Sequence, residues 1–157
     1  MPPKLLYDLA DVDFAHRVTT LDGIRRTVPQ RYEMEMLDSI CHLDRDAQAA
    51  VSVRPVGADE WWVRGHIPDR PVFPGVLMVE SAAQLSTWLY KALLDDDRFM
   101  GFGALDEVRF RGVVIPPCDL VLIARVRELK SRRAVFDTQG VVDGRVVYQG
   151  IVTGMAV

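Results

Sequence analysis

The chain is poor in cysteine. Cys41 and Cys118 are the only two among 157 residues, too few for a disulfide framework and without metal-ligand spacing. The expectation is reduced thiols in a cytoplasmic protein, with no metal site. Excess positive charge is also missing. Lys and Arg number 19 against 22 Asp and Glu, a net charge of −3, which argues against general nucleic-acid binding but leaves room for a local basic patch. The N-terminus lacks the apolar h-region of a secretory signal. The most apolar stretch, Pro74–Leu94, is interrupted by Glu80, Gln84, Lys91 and several hydroxyls, so no membrane span is expected. Repeats and low-complexity segments are absent. With 49% apolar and 26% charged residues, the composition is that of an ordinary soluble domain, long enough to bury a sizeable core.

What is present centres on Gly65–Gln84, GHIPDRPVFPGVLMVESAAQ. Pro68, Pro71 and Pro74 each fix their own φ and bias the preceding residue towards extended backbone, which holds His66 in a stiff loop. After Pro74-Gly75 a helix begins, and its first free N–H groups can bind an oxyanion or a carbonyl oxygen. Glu80 then falls in the second turn among Val79, Ala82, Ala83 and Leu85. A carboxylate there is costly to bury unless it is paired, hydrogen-bonded or protonated. An imidazole, a helix N-terminus and a carboxylate together suit proton transfer beside a polarised carbonyl.

Around this block the patterning predicts strands, one long buried helix, then more strands. Leu5, Leu6, Leu9, Val12 and Phe14 suggest a short amphipathic helix, running into a turn at Asp22-Gly23. Met34–Leu43 and Ala47–Val53 read as paired strands about Asp44-Arg45-Asp46, followed by a helical turn over Ala58–Trp62. Trp61 and Trp62 are expected to pack rather than bind a ligand. The helix spans Pro74–Leu94 and stops at Asp95-Asp96-Asp97, whose charge opposes its dipole. Phe99–Phe110, Leu120–Leu129 and Ala134–Val142 read as strands, with Asp143-Gly144 as a hairpin turn into Arg145–Tyr148. His16 reads as a surface side chain and His42 as a structural one.

Gly65–Gln84 resembles the active-site signature of the FabZ/FabA-type β-hydroxyacyl-acyl-carrier-protein dehydratases, which have the hot-dog fold. Val28-Pro29-Gln30-Arg31-Tyr32 is similar to that family's Leu-Pro-His-Arg-Tyr opening. Leu105–Asp119 resembles its Phe-Arg strand and Pro-Gly-Asp turn, and Val142-Asp143-Gly144 its closing hairpin. Three positions depart from the pattern: Gln30 replaces His, Ile67 replaces Phe, and Cys118 replaces Gly.

The resemblance implies an α+β hot-dog domain over residues 28–157, an antiparallel sheet wrapped around one long central helix, behind a lead-in of residues 1–27. It implies a homodimer, assembling further as a trimer of dimers, with the active site shared across the dimer interface. By that resemblance His66 removes the C2 proton of a 3-hydroxyacyl thioester in fatty-acid biosynthesis. Glu80 protonates or orients the leaving hydroxyl, and the Gly75 N–H holds the thioester carbonyl. Val76, Ile67 and Phe73 would border the substrate, with Gln84 one helical turn beyond Glu80 in support. No cofactor is implied. The partner would be an acidic acyl carrier protein, with Arg109, Arg111, Arg132 and Arg133 as candidate contacts. Two other classes fit the same residues: a coenzyme A-dependent hydratase or thioesterase, and a catalytically silent acyl-binding partner subunit.

Overall fold

The computed structural model describes residues 1–157. Seven strands form one antiparallel sheet: β1 (Thr19–Thr20), β2 (Ser39–Asp44), β3 (Ala49–Val56), β4 (Met100–Phe110), β5 (Cys118–Leu129), β6 (Arg133–Val142) and β7 (Arg145–Ala156). Their order is β1-β2-β3-β5-β6-β7-β4. A short helix α1 (Leu21–Thr27) precedes β2, and the long α2 (Gly75–Leu94) lies between β3 and β4. The sheet curls around α2, which packs against β3, β4, β5, β6 and β7. This is the α+β hot-dog architecture.

The limits of α2 follow from its ends. Pro74, at φ −61°, forms the N-cap, and Asp95 in the left-handed region at φ 51° stops the helix. Leu77, Met78, Ala82, Leu85, Trp88, Leu89 and Tyr90 are buried on several sides of it, where they meet Leu120, Leu122, Phe136 and Tyr148 from the sheet. A helix that is apolar round most of its circumference has to be wrapped, and the curled sheet does that. At the β6–β7 hairpin Asp143 and Gly144 both take positive φ, 49° and 74°, the two-residue turn that matches the twist of paired strands.

Four expectations change at the periphery. Residues 1–18 form no helix; they run as a strap over the outer sheet face, where Tyr7, Leu9, Val12 and Phe14 cover Cys41, Val51 and Val53. Side chains alternate across a strand, so β2 and β3 carry a second apolar face that needs covering. The strap is fastened to β6 by the Leu6 N–H donating to Gln139 Oε1 (2.9 Å) and Gln139 Nε2 donating to the Lys4 carbonyl (2.9 Å). Asp22-Gly23 is not a turn but lies within α1, whose Ile24 joins the main core. The first long strand starts at Ser39 rather than Met34, because Tyr32–Met34 forms a 3-10 turn and Met36 and Leu37 plug the core. Ala58–Trp62 is a run of turns, not a helical one.

His42 has a structural role. The Tyr7 hydroxyl donates its one hydrogen to Asp44 Oδ2 (2.8 Å), so the contact between His42 Nε2 and the same hydroxyl (2.8 Å) has the imidazole as donor. Burial, then the bond to Asp44 and the nearby carboxylates, pushes the Tyr7 hydroxyl up to about 12, which keeps it a donor. Both cysteines are free thiols. No helix is long and apolar enough to cross a membrane.

Candidate active site

His66 sits in an exposed loop, yet its ring is fixed. Nδ1 lies 2.7 Å from the Val72 carbonyl. A carbonyl only accepts, so Nδ1 carries the hydrogen, and in the neutral ring Nε2 is left as a base. The loop backbone is tied down as well. The His66 N–H donates to the Trp62 carbonyl (2.8 Å), and the Phe73 N–H to the Val114 carbonyl (2.8 Å).

Beneath the loop lies an ion pair. Arg54 on β3 donates twice to Glu60, at 3.1 and 2.6 Å. Glu60 also accepts from the Gly57 N–H (3.0 Å) and the Trp62 indole (2.8 Å). Trp62 meets the Phe73 ring edge-on at 5.2 Å, and the Arg54 guanidinium covers the same ring at 5.4 Å. Burial pushes the Glu60 carboxyl up. The bonds from Arg54 and Trp62, the Arg54 charge and the Gly57 N–H outweigh that and hold it below its ordinary range.

The His66 loop and the start of α2 share an open cavity of about 450 Å³, lined by Trp61, Trp62, Arg64, His66, Pro74 and Val76 among others. The N–H groups of Gly75 and Val76 make no hydrogen bond within the chain, and no side chain caps the helix. These donors, with the positive end of the helix dipole, are placed for an oxygen that gains negative charge. Position 75 has no room for a side chain: a Cβ there would lie 2.8 Å from the Phe110 ring. Gly75→Ala is therefore expected to shift the helix start against Phe110 and lower turnover by about ten- to a hundredfold with the fold intact. Steady-state kinetics checks this, and unchanged kcat would show that Phe110 yields to the added Cβ without moving the Gly75 N–H.

Glu80 is half-buried, on a different cavity of about 180 Å³ lined by Gln30, Glu80, Thr87, Phe99, Phe102, Phe136 and Thr153 among others. Its Oε1 accepts from Gln84 Nε2 (2.9 Å). Gln84 is itself clamped, donating to the Met34 carbonyl (2.7 Å) and accepting from the Met36 N–H (3.1 Å). The two cavities have no lining residue in common. One protomer thus brings His66 together with Val76 and the helix start, and Glu80 together with Gln84, but does not bring the two groups into one cavity.

Other predicted residues are placed less closely. Ile67 is exposed in the loop beside His66. Phe73 lines neither cavity; it is 2% exposed, in the core between Trp62 and Arg54. Trp62 is packed as expected, but Trp61 is half exposed and lines the His66 cavity. No pattern in the sequence separates Trp61 from Trp62, because side chains in a run of turns do not alternate as they do in a strand. The four arginines do not form one patch within a protomer. Arg109 pairs opposite Gln149 and Arg133 opposite Met155 on β7, about 20 Å apart along the strand. Arg133 lies within β6 and is held by Glu128 at 2.6 Å.

The family model described as FabA-like domain matches residues 28–151. Two curated relatives from Clostridium botulinum carry the name 3-hydroxyacyl-[acyl-carrier-protein] dehydratase FabZ. The relative from strain Okra is 32% identical over 130 residues, 80% of this chain and 88% of its own length. The one from strain Loch Maree is 33% identical over 131 residues, 81% and 88%. Among solved structures, the dehydratase heterocomplex ApeI:P from Xenorhabdus doucetiae superposes with a TM-score of 0.69 at 16% identity, covering 85% of this chain and 90% of that one. A mutant thioesterase from Pseudomonas aeruginosa gives 0.68 at 14% identity, covering 90% and 96%. At such identities these structures speak to the hot-dog fold alone.

Proposed function

The chain belongs to the FabZ/FabA family of dehydratases, and from that premise we propose that it removes water from 3-hydroxyacyl thioesters carried on an acyl carrier protein, giving trans-2-enoyl thioesters for fatty-acid synthesis in the cytoplasm. Residues 28–157 form the catalytic domain. The observation that carries the reading is the fixed tautomer of His66, a base at Nε2 beside the bare N-terminus of α2.

The thioester carbonyl lies against the Gly75 and Val76 N–H groups, which makes the C2 hydrogen acidic enough to leave. His66 Nε2 takes that proton, and the C2 electron pair forms the double bond as the C3–O bond breaks. Glu80 gives its proton to the departing hydroxyl, which leaves as water. Proton return from His66 to Glu80 through solvent resets the pair. Gln84 sets the orientation of the Glu80 carboxyl.

Because the two groups open to separate cavities, the site is completed by a second copy of the chain. β4 is the long open edge of the sheet and carries exposed Phe102, Leu105 and Phe110, a surface that is normally paired or covered. Phe102, near its start, lines the Glu80 cavity; Phe110, at its end, touches Gly75. Antiparallel pairing of two β4 edges about a twofold axis sets the start of one strand against the end of the other. That brings Glu80 of one protomer to His66 of its partner, and three such dimers would make a hexamer. Arg64, exposed at the rim of the His66 cavity, supplies positive charge where an acidic carrier protein would deliver its substrate.

The test is turnover of 3-hydroxybutyryl and 3-hydroxydecanoyl thioesters, each on carrier protein and on coenzyme A. Loss of water from the carrier-bound forms is expected. Activity with coenzyme A alone would replace the carrier-protein reading with a hydratase one, and inactivity on all four would overturn the dehydratase reading.

A further inference from the structure

Two buried side-chain polar atoms lack a hydrogen-bond partner, Gln30 Oε1 and Arg54 Nε. Arg54 satisfies its other nitrogens on Glu60 and stacks on Phe73. The Gln30 amide has no such compensation, since none of its side-chain atoms is hydrogen-bonded to the chain. A buried acceptor left unpaired is unfavourable and calls for an explanation. Gln30 lines the same cavity as Glu80.

The amide is presented by a fixed backbone. Arg31 donates to the carbonyls of Val28 (2.8 Å), Gln30 (2.7 Å) and Arg25 (2.7 Å), gathering that segment around one guanidinium. At the far end of the segment Gln84 Nε2 bridges the Met34 carbonyl and Glu80 Oε1. The segment carrying Gln30 and the helix carrying Glu80 are therefore locked to each other. Glu80 Oε1 is engaged, while Oε2 has no partner. One small cavity is thus lined by two residues whose oxygens, Gln30 Oε1 and Glu80 Oε2, receive no hydrogen bond from the chain.

We infer that Gln30 Oε1 accepts the hydrogen of the substrate's 3-hydroxyl and turns that oxygen's lone pair towards the proton on Glu80. This rests on the dehydratase reading and adds a contact to it. A hydroxyl has one hydrogen and two lone pairs. Protonation by Glu80 requires a lone pair on its side, so the hydrogen must be taken elsewhere. The oxygen receives the Glu80 proton and departs with both electrons of the C3–O bond. The water so formed keeps its original hydrogen on Gln30. In the reverse direction Gln30 and ionised Glu80 are the two acceptors that one water molecule needs. An acyl thioester without a 3-hydroxyl leaves Gln30 unpaired, so the same contact discriminates the substrate from saturated chains.

The test compares wild type, Gln30→Leu and Gln30→His, the last offering a ring nitrogen as acceptor. Each is assayed with 3-hydroxybutyryl carrier protein and titrated with non-reactive amide analogues of 3-hydroxybutyryl- and butyryl-pantetheine. Wild type is expected to prefer the hydroxylated analogue by about tenfold, a typical value for one buried hydrogen bond. Gln30→Leu should erase the preference and lower kcat by roughly ten- to a hundredfold at unchanged Tm, and Gln30→His should restore much of both. An unchanged preference in Gln30→Leu, or a rate loss that only follows a fall in Tm, would overturn the inference. An active wild type with an equally active Gln30→Leu overturns this contact alone, whereas an inactive wild type overturns the dehydratase reading on which it stands.

Discussion

His66→Ala and Glu80→Gln are each expected to lose about 10²–10⁴ in kcat while remaining folded, the range for removal of a general acid or base. Neither change disturbs the core: His66 is exposed in its loop, and Glu80 keeps an amide of the same shape beside Gln84. The two dead variants differ from any single one when mixed. In a heterodimer with a twofold axis, one of the two sites pairs both lesions and the other pairs both intact groups. Random exchange of equal amounts should therefore recover about one quarter of wild-type activity, since half of the dimers are mixed and half of their sites are whole. Recovery is measured by turnover after exchange, with mass spectrometry to prove that heterodimers formed. Proven exchange without recovery would place both groups in one protomer and remove the shared site.

Glu60→Gln should have the largest effect on stability. The change leaves Arg54, 6% exposed, as a buried cation without its carboxylate, and breaking such a pair costs on the order of 3 kcal/mol. For a chain of this size that is a fall in Tm of roughly 6–12 °C. The loss should depend on pH in a defined direction. The Glu60 carboxyl is held below its ordinary value of 4.5 in the folded protein. Its contribution is then fully present above that value and is lost as pH falls through the lower folded value. The gap between wild type and variant should be full at pH 7 and narrow as pH falls below 4.5. Thermal unfolding across that window reads it out, and a constant gap from pH 7 to pH 3 would assign the loss to packing instead of charge. The variant should also lose activity, because Trp62, which Glu60 holds, receives the His66 N–H.

The long helix, the β6–β7 hairpin and the chemistry-bearing block were legible without coordinates because each is written in local terms. Pro74 can begin a helix, Asp95 can end one, and Asp143-Gly144 suits one kind of turn. The apolar circumference of Gly75–Leu94 implied that a sheet would wrap it. The resemblance in Gly65–Gln84 supplied the family, which the matched relatives bear out. The N-terminal strap is not legible for the opposite reason. Its apolar residues answer to the outer face of β2 and β3, far away in sequence, and no local periodicity records that match.

The sequence by itself determined the long central helix, the placing of His66 and Glu80 in one motif, and the turn that closes the sheet. Only the tertiary structure decided which nitrogen of His66 is free, since the Val72 carbonyl that fixes the tautomer is brought back by the loop. It also decided that Phe73 is core while Trp61 faces the cavity, and that Gln30 and Glu80 border one space. Propensity and patterning act over a few residues along the chain, whereas hydrogen-bond partners and cavities arise where distant segments pack. That is why the groups could be read from the sequence and their partners could not.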